Sequence, residues 1–143
     1  MTNTKPAFIN RPHTKELFSF FLNQGWKMRL HPRRGEGFIH NGVYDRTAKS
    51  NDGLYKGKDG KYYYFSFQEI LREDGSFDFI HFSIMKKSRT VRDSKSVMQG
   101  FLNSRKETPD PPGWKVNPGH QWEVTEEDIR EKIDEIKDLI KTL

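Results

Sequence analysis

Apolar and polar residues alternate along the middle of this chain, and glycine turn dipeptides interrupt the alternation three times. Asn41-Gly42, Asp59-Gly60 and Asp74-Gly75 each separate two runs of strand length. These dipeptides suit tight hairpins, because Gly, Asn and Asp tolerate the positive φ that the turns require. The pattern therefore predicts an antiparallel meander of about five strands in the centre of the protein.

The three turns also predict which strands pair and which side chains share a face. Residues 27–31 form a short first strand, and pairs follow between 38–40 and 43–44, between 54–56 and 63–65, and between 62–68 and 77–85. Side chains alternate between the two faces of a sheet. Pairing outward from the last turn places on one face the core residues Leu54, Phe65, Phe67, Ile80, Phe82 and Ile84. The opposite face, here called the aromatic face, carries Tyr62, Tyr64, Ser66 and Gln68 opposite Phe79, His81, Ser83 and Met85, with Tyr55 beside Tyr64.

Helical periodicity appears in three segments outside the meander. Thr14 is predicted to cap a helix over residues 15–24, and Gly25 to end it. Its apolar stripe comprises Leu17, Phe18, Phe21 and Leu22. A second helix after the sheet is predicted to begin at Asp93 or Ser94 and to bury Val97, Met98, Phe101 and Leu102. The C-terminal amphipathic helix is capped by Thr125. The sequence thus predicts an α+β fold in a single domain, residues 1–143, with a Pro/Gly-rich loop at 107–121 anchored by Trp114 and Trp122.

The last helix has an apolar seam with heptad spacing, formed by Ile129, Ile133, Ile136 and Ile140. Two heptads are short for an independent coiled coil, so packing across the chain's own sheet is the favoured interpretation. A homodimer formed through these four isoleucines is the alternative.

Composition restricts the classes of function. The 143 residues carry a net charge of +5, 33% are hydrophobic and 13% aromatic. Lysine and arginine are concentrated before Glu107, whereas the remainder is acidic, and this asymmetry favours an anionic partner for one surface. The absence of cysteine excludes disulfides and thiolate metal sites. No run approaches the ~20 apolar residues of a membrane span. We expect a soluble, cytoplasmic protein with no membrane partner.

Rings beside basic clusters are typical of proteins that bind single strands, in which bases stack on aromatic side chains while cations contact phosphates. We therefore predict binding of nucleic acid, either single-stranded or structured RNA or single-stranded DNA. The predicted binding residues are Lys27, Arg29, Arg33, Arg34, Tyr55, Tyr62, Tyr64, Phe79, His81, Lys86, Lys87, Arg89, Arg92 and Lys95. The competing interpretation is that the first helix or the 107–121 loop covers the aromatic face and makes it a second core.

Three further functions stay open. A nucleotide or small phosphorylated ligand would fit a pocket walled by Tyr55, Tyr64, His81 and arginines. A metal-independent ribonuclease would use His31, His40 or His81 with Arg33 or Lys86. An accessory protein would bind a partner through the last helix. The histidines lack the paired spacing of metal ligands, so we expect no metal site and no cofactor, and the sequence favours a binding protein over an enzyme.

Overall fold

The computed structural model describes residues 11–30, 37–41, 47, 49–103 and 124–143. These ranges form two helices and six strands: α1 (Pro12–Asn23), β1 (Met28–Leu30), β2 (Phe38–Asn41), β3 (Tyr55–Lys56), β4 (Tyr62–Leu71), β5 (Phe77–Lys86), β6 (Lys95–Asn103) and α2 (Glu126–Thr142). All paired strands are antiparallel. The predicted α+β fold, with an N-terminal and a C-terminal helix, is confirmed. The predicted loop at 107–121, with Trp114 and Trp122, lies outside the described residues.

The sheet has the strand order β1-β2-β4-β5-β6, and β3 pairs with β4. Because β5 occupies one edge of β4, both β2 and β3 lie along the other edge, where Ile39 is opposite Phe67 and Tyr55 is opposite Tyr63. The side chain of Asn41 takes the place of a pairing strand between the part of β4 that faces β2 and the part that faces β3. Its side-chain oxygen accepts the N–H of Phe65 at 2.5 Å, and its amide donates to the carbonyl of Tyr63 at 3.2 Å. The buried amide thus replaces missing strand-to-strand hydrogen bonds.

The predicted hairpin at Asn41-Gly42 is wrong. β2 is paired on both of its edges, by β1 and by β4, so no edge is left for the predicted partner, residues 43–44. Those two residues themselves lie outside the described ranges. The Asn-Gly dipeptide is typical of a turn, but in the fold Asn41 is the last residue of β2 and pairs with Met28 of β1.

The other two hairpins close through three-residue loops, 58–60 and 73–75, and not through two-residue turns. Gly60 and Gly75 have φ values of 81° and 88°, the left-handed geometry that closes such loops. In the second hairpin the register shifts beside Leu71, which restores the predicted pairing of Tyr64 with Met85. In the first hairpin no register shift offsets the extra loop residue.

Tyr55 is consequently displaced from its predicted position on the aromatic face. The longer first loop moves the register by one residue, so Tyr55 is opposite Tyr63 and not Tyr64. A one-residue shift transfers a side chain to the other face of a sheet. The Tyr55 ring stacks on Trp26 with centroids 4.4 Å apart and an interplanar angle of 3°.

The segment predicted as a second helix is instead strand β6. Met98, Gly100 and Leu102 lie opposite Ile84, Phe82 and Ile80, so its core side follows a period of two and not 3.6. Val97 is 37% exposed and does not join the core. Pairing with the outer edge of β5 from Phe79 to Lys86 satisfies a long row of backbone groups, and this tertiary gain outweighs the local helical pattern.

Helix α1 begins and ends at identifiable backbone signals. Pro12 occupies its first turn, and Gly25, with φ of 90°, ends it as predicted. The N–H groups of Gly25 and Trp26 donate to the carbonyls of Leu22 and Phe21 at 3.1 and 2.9 Å. Leu22 is 48% exposed, so it lies outside the predicted apolar stripe. Thr14 is not the cap but lies inside the helix, because Arg11 precedes the first helical residue.

Helix α2 has the predicted cap, and its apolar seam is buried. Thr125 accepts the N–H of Asp128 through its hydroxyl, and the Asp128 carboxylate accepts the N–H of Thr125. The four seam isoleucines are at most 2% exposed and pack in the same core as the sheet residues Phe65 and Phe82. The favoured interpretation is therefore confirmed, and the structure provides no support for a homodimer through this seam. No helix in the described ranges is long and apolar enough to cross a membrane.

Candidate anion-binding site

A basic pocket of about 640 Å³ opens where β4 begins, β5 ends and β6 begins. Ten of the described residues line it, and six of these are cationic: Lys49, Lys61, Lys86, Lys87, Arg89 and Lys95. The other described lining residues are Asn51, Gly60, Tyr62 and Ser88, so the part of the lining that the structure describes carries no carboxylate. Six positive charges around one concavity produce a field that attracts anions. We call this concavity the basic pocket.

Lys86, one of the lining residues, forms a close ion pair. Its Nζ lies 3.0 Å from Asp59 Oδ2, and the Tyr63 hydroxyl donates to the same oxygen at 2.7 Å. The hydrogen bond from Tyr63, the N–H of Lys61 and the Lys86 ammonium together lower the pKa of Asp59 to about 2. Hydrogen bonding to Asp59 raises the pKa of Lys86. Asp59 therefore lies in the hairpin loop, as the Asp59-Gly60 dipeptide predicted. It also forms an ion pair with Lys86.

Lys87 is a buried cation with neutral partners. Its side chain reaches into the loop at 49–51 and donates to the carbonyls of Lys49 and Ser50 at 2.7 and 2.9 Å, and to the Asn51 side-chain oxygen at 2.5 Å. The residue is 9% exposed. Three acceptors match the three N–H donors of an ammonium group. Lys87 thus holds the loop that places Lys49 and Asn51 at the pocket wall.

The aromatic face begins at this pocket, because Tyr62 belongs to both. From there the face runs along β4 and β5 through pairs such as Tyr64 with Met85 and Gln68 with His81. Most of its side chains are half-buried, and His81 is exposed. The Phe79 ring lies near two neighbours, with centroids 6.4 Å from His81 and 5.8 Å from Phe101 of β6. Both helices pack on the core face, so α1 does not cover the aromatic face as the competing interpretation allowed; the 107–121 loop of that interpretation lies outside the described residues.

The structure brings together five of the predicted binding residues in the pocket: Tyr62, Lys86, Lys87, Arg89 and Lys95. Tyr64, Phe79 and His81 lie on the aromatic face as predicted. Lys27 and Arg29 are exposed at the β1 side of the sheet, and Arg92 is exposed in the 87–94 loop outside the pocket. Tyr55 lies on the core face, and Arg33 and Arg34 lie outside the described residues.

Sequence reasoning missed Lys49, Asn51 and Lys61 as pocket residues. Lys61 directly follows the Asp59-Gly60 turn and was given no binding role, and the 49–51 loop carried no periodic signal. Only the folded hairpin and the Lys87 side chain bring these segments beside β5. A basic residue next to a hairpin turn, such as Lys61, was the one signal in the sequence that could have identified part of the wall.

Three of the histidines, His13, His40 and His81, lie in the described ranges. His40 is 1% exposed within β2, away from solvent, and His81 is on the aromatic face. His31 and Arg33, two residues of the ribonuclease alternative, lie outside the described ranges. Among the residues that the structure describes, no group of three His, Asp or Glu side chains is arranged to hold a metal ion.

A second polar cluster is buried on the core face, remote from the basic pocket in the sheet. Glu69, 1% exposed, accepts the N–H and the hydroxyl of Thr14 at 2.7 and 2.8 Å and contacts His13 Nδ1 at 2.7 Å. His13 Nε2 lies 2.9 Å from Glu126 of α2. Burial alone would lower the pKa of His13, but the hydrogen bonds to Glu69 and Glu126 outweigh it and raise the pKa. The cluster joins β4 to both helices.

The chain was compared with known protein families, sequences and structures. No protein-family model, curated protein sequence or solved structure matches the chain.

Proposed function

We propose that this protein binds single-stranded nucleic acid, RNA or DNA, with phosphates in the basic pocket and bases on the aromatic face. One observation supports this most: a pocket with six cationic side chains adjoins, through Tyr62, a sheet face that carries the half-buried rings of Tyr64 and Phe79. Cations that contact phosphates and rings that stack on bases are the two components of sequence-tolerant single-strand binding.

The two surfaces have complementary chemistry. Along β4 and β5, the aromatic face presents Tyr64, Phe79, His81 and neutral polar residues, which suit bases and sugars. Arg29 lies on the same face two strands from β4, opposite His40 in the pairing of β1 with β2. Neighbouring strands are about 4.8 Å apart, so this second cation lies within reach of a strand of a few nucleotides.

The test is the salt dependence of binding to a twelve-nucleotide single strand, measured by fluorescence anisotropy. Each neutralised phosphate should contribute about −0.7 to the slope of log affinity against log salt. The double variant Lys61→Gln/Lys95→Gln removes two exposed cations from the pocket wall and should lower the magnitude of the slope by about 1.4.

The matched control is Lys15→Gln/Lys141→Gln, which removes two exposed cations from the helices and so changes net charge equally. This variant should retain the wild-type slope. Tyr64→Ala and Phe79→Ala test stacking, and each should weaken binding by about 1–3 kcal/mol. Equal loss of affinity in the control and pocket variants would show that net charge, and not the pocket, causes binding.

A second candidate function is binding of a nucleotide or another small phosphorylated ligand. The pocket volume supports it, since 640 Å³ lies within the range of about 300–1,000 Å³ typical of small-ligand sites. The twelve-mer and a mononucleotide distinguish the two proposals. Equal affinity for both would refute strand binding and favour the small ligand.

A further inference from the structure

In β4, β5 and β6, the cations of the proposed binding surface are concentrated at one end of the aromatic face, and Arg29 of β1 lies two strands to the side of β4. In β4, β5 and β6, the described residues that point to this face between the pocket and the far turn include no lysine or arginine. The residues there are rings, hydroxyls and amides, with the apolar side chains of Met85 and Ile70. A surface that follows the backbone of a strand would distribute its charges along the path. A surface with charge at one end suits a ligand with extra charge at one end.

The pocket also has unneutralised positive charge. Lys49, Lys61, Lys87 and Lys95 have no carboxylate within ion-pair distance in the described part of the chain, whereas Lys86 is paired with Asp59 and Arg89 lies 3.8 Å from Asp93. Lys87 is the most informative of these, because its ammonium is buried and its three acceptors are neutral. A buried charge is costly without an opposite charge nearby. An anion in the pocket would supply it.

Lys87 cannot be the principal contact for that anion. All three of its donors are used by the 49–51 loop, so it acts as a positioning residue that fixes Lys49 and adds its field. The direct donors are the exposed ammonium groups of Lys49, Lys61 and Lys95. Three exposed ammonium groups around one cavity match a group with several charged oxygens.

We propose that the basic pocket binds the terminal phosphate of a strand, an inference that rests on the proposed single-strand function. A terminal phosphomonoester carries about −1.5 to −2 charges at pH 7 and three strong acceptor oxygens, whereas an internal phosphodiester carries one charge. The terminal group therefore uses the clustered lysines more fully. Bases adjoining that terminus then extend from Tyr62 along the aromatic face.

The experiment compares twelve-mers of one sequence with an internal fluorophore and one of three ends: no terminal phosphate, a 5′-phosphate or a 3′-phosphate. We expect one phosphorylated strand to bind about tenfold or more tightly than the unphosphorylated strand, as one additional charge-assisted hydrogen bond implies. The phosphorylated strand that binds more tightly shows whether the pocket holds a 5′-terminal or a 3′-terminal phosphate. The preference should decrease below about pH 6, where the monoester loses its second charge.

Variants assign the preference to the pocket. Lys61→Gln/Lys95→Gln changes two exposed residues and should abolish the preference, whereas Lys15→Gln/Lys141→Gln should retain it. Lys87→Met should also abolish it; circular dichroism tests whether that variant folds, and Asn51→Ala provides a milder disturbance of the same loop.

Each contrary outcome has a separate meaning. Equal affinity for all three twelve-mers with a steep salt slope would overturn the terminal-phosphate inference and leave strand binding intact. Failure of every strand to bind would overturn strand binding and the inference together. A mononucleotide that binds as tightly as the phosphorylated twelve-mer would overturn both in favour of the small-ligand candidate.

Discussion

The buried carboxylate of Glu69 should be essential for stability, and Glu69→Ala tests this. The side chain lies on the core face of β4, where apolar residues are the rule, and is 1% exposed. It accepts two hydrogen bonds from Thr14 and contacts His13 Nδ1. One of these bonds satisfies a backbone N–H in the first turn of α1, a group that has no partner within the helix. Glu69 therefore caps α1 from a strand 55 residues away.

The expected cost follows from the partners that the substitution leaves behind. Glu69→Ala removes the acceptor of three buried donors, and each unsatisfied buried donor costs about 1–3 kcal/mol. Removing one member of a buried charged pair typically costs about 3–5 kcal/mol. Water entering the vacated space offsets part of the sum. We expect a loss of about 4 kcal/mol, a large fraction of the stability of an ordinary domain.

Guanidinium unfolding followed by circular dichroism measures this loss directly. Glu73→Ala is the matched control, since Glu73 is exposed in the loop after β4, and it should change stability by less than about 0.5 kcal/mol. Glu69→Gln keeps one acceptor oxygen and should lie between wild type and Glu69→Ala. A loss below about 1 kcal/mol for Glu69→Ala would refute the reasoning, because the three donors would then have found other partners.

Two further predictions concern pH and backbone geometry. Because the folded-state pKa of His13 is raised above 6.5, its contribution is fully present below pH 6.5 and is lost as the pH rises through the folded pKa. Wild-type stability should therefore decrease above pH 6.5, and His13→Gln should lack that decrease; parallel curves for the two proteins would contradict the assignment. Gly75→Ala should cost about 1–2 kcal/mol through its positive φ alone, since no atom lies within 4 Å of the added carbon. Gly37→Ala has a similar φ but would place that carbon 2.2 Å from the Glu69 carbonyl oxygen, so thermal unfolding should show a much larger loss, and equal losses would contradict the steric argument.

Local chemistry in the sequence was sufficient for several elements of the fold. The capping box at Thr125 and the positive-φ stop at Gly25 use residues only a few positions apart, so sequence spacing alone reveals them. The same applies to the long hairpin of β4 and β5, whose alternation places Phe67 and Phe82 in the core. In each case the interacting groups are near in sequence or separated by one short loop.

The errors came where the deciding partner is distant. The apolar spacing of 97–102 was compatible with a helix until the unpaired edge of β5 was taken into account, and that edge made it β6. Tyr55 changed faces because the loop at 58–60 has three residues and not two, a difference of one residue that the Asp-Gly signal does not encode. Periodicity describes a segment by itself, whereas strand pairing depends on the whole sheet.

The sequence predicted only part of the candidate site, because some of its residues are brought together by partners distant in the sequence. The dense run of basic residues from the end of β5 to the start of β6 identified Lys86, Lys87, Arg89 and Lys95, because charge clustering is visible in the sequence. The other wall depends on tertiary structure, since Lys87 reaches the 49–51 loop more than thirty residues away and thereby places Lys49. Composition and periodicity alone determined a basic, antiparallel α+β protein with an aromatic sheet face. Long-range hydrogen bonds and strand register, which no local pattern encodes, decided which cations converge and which rings remain beside them.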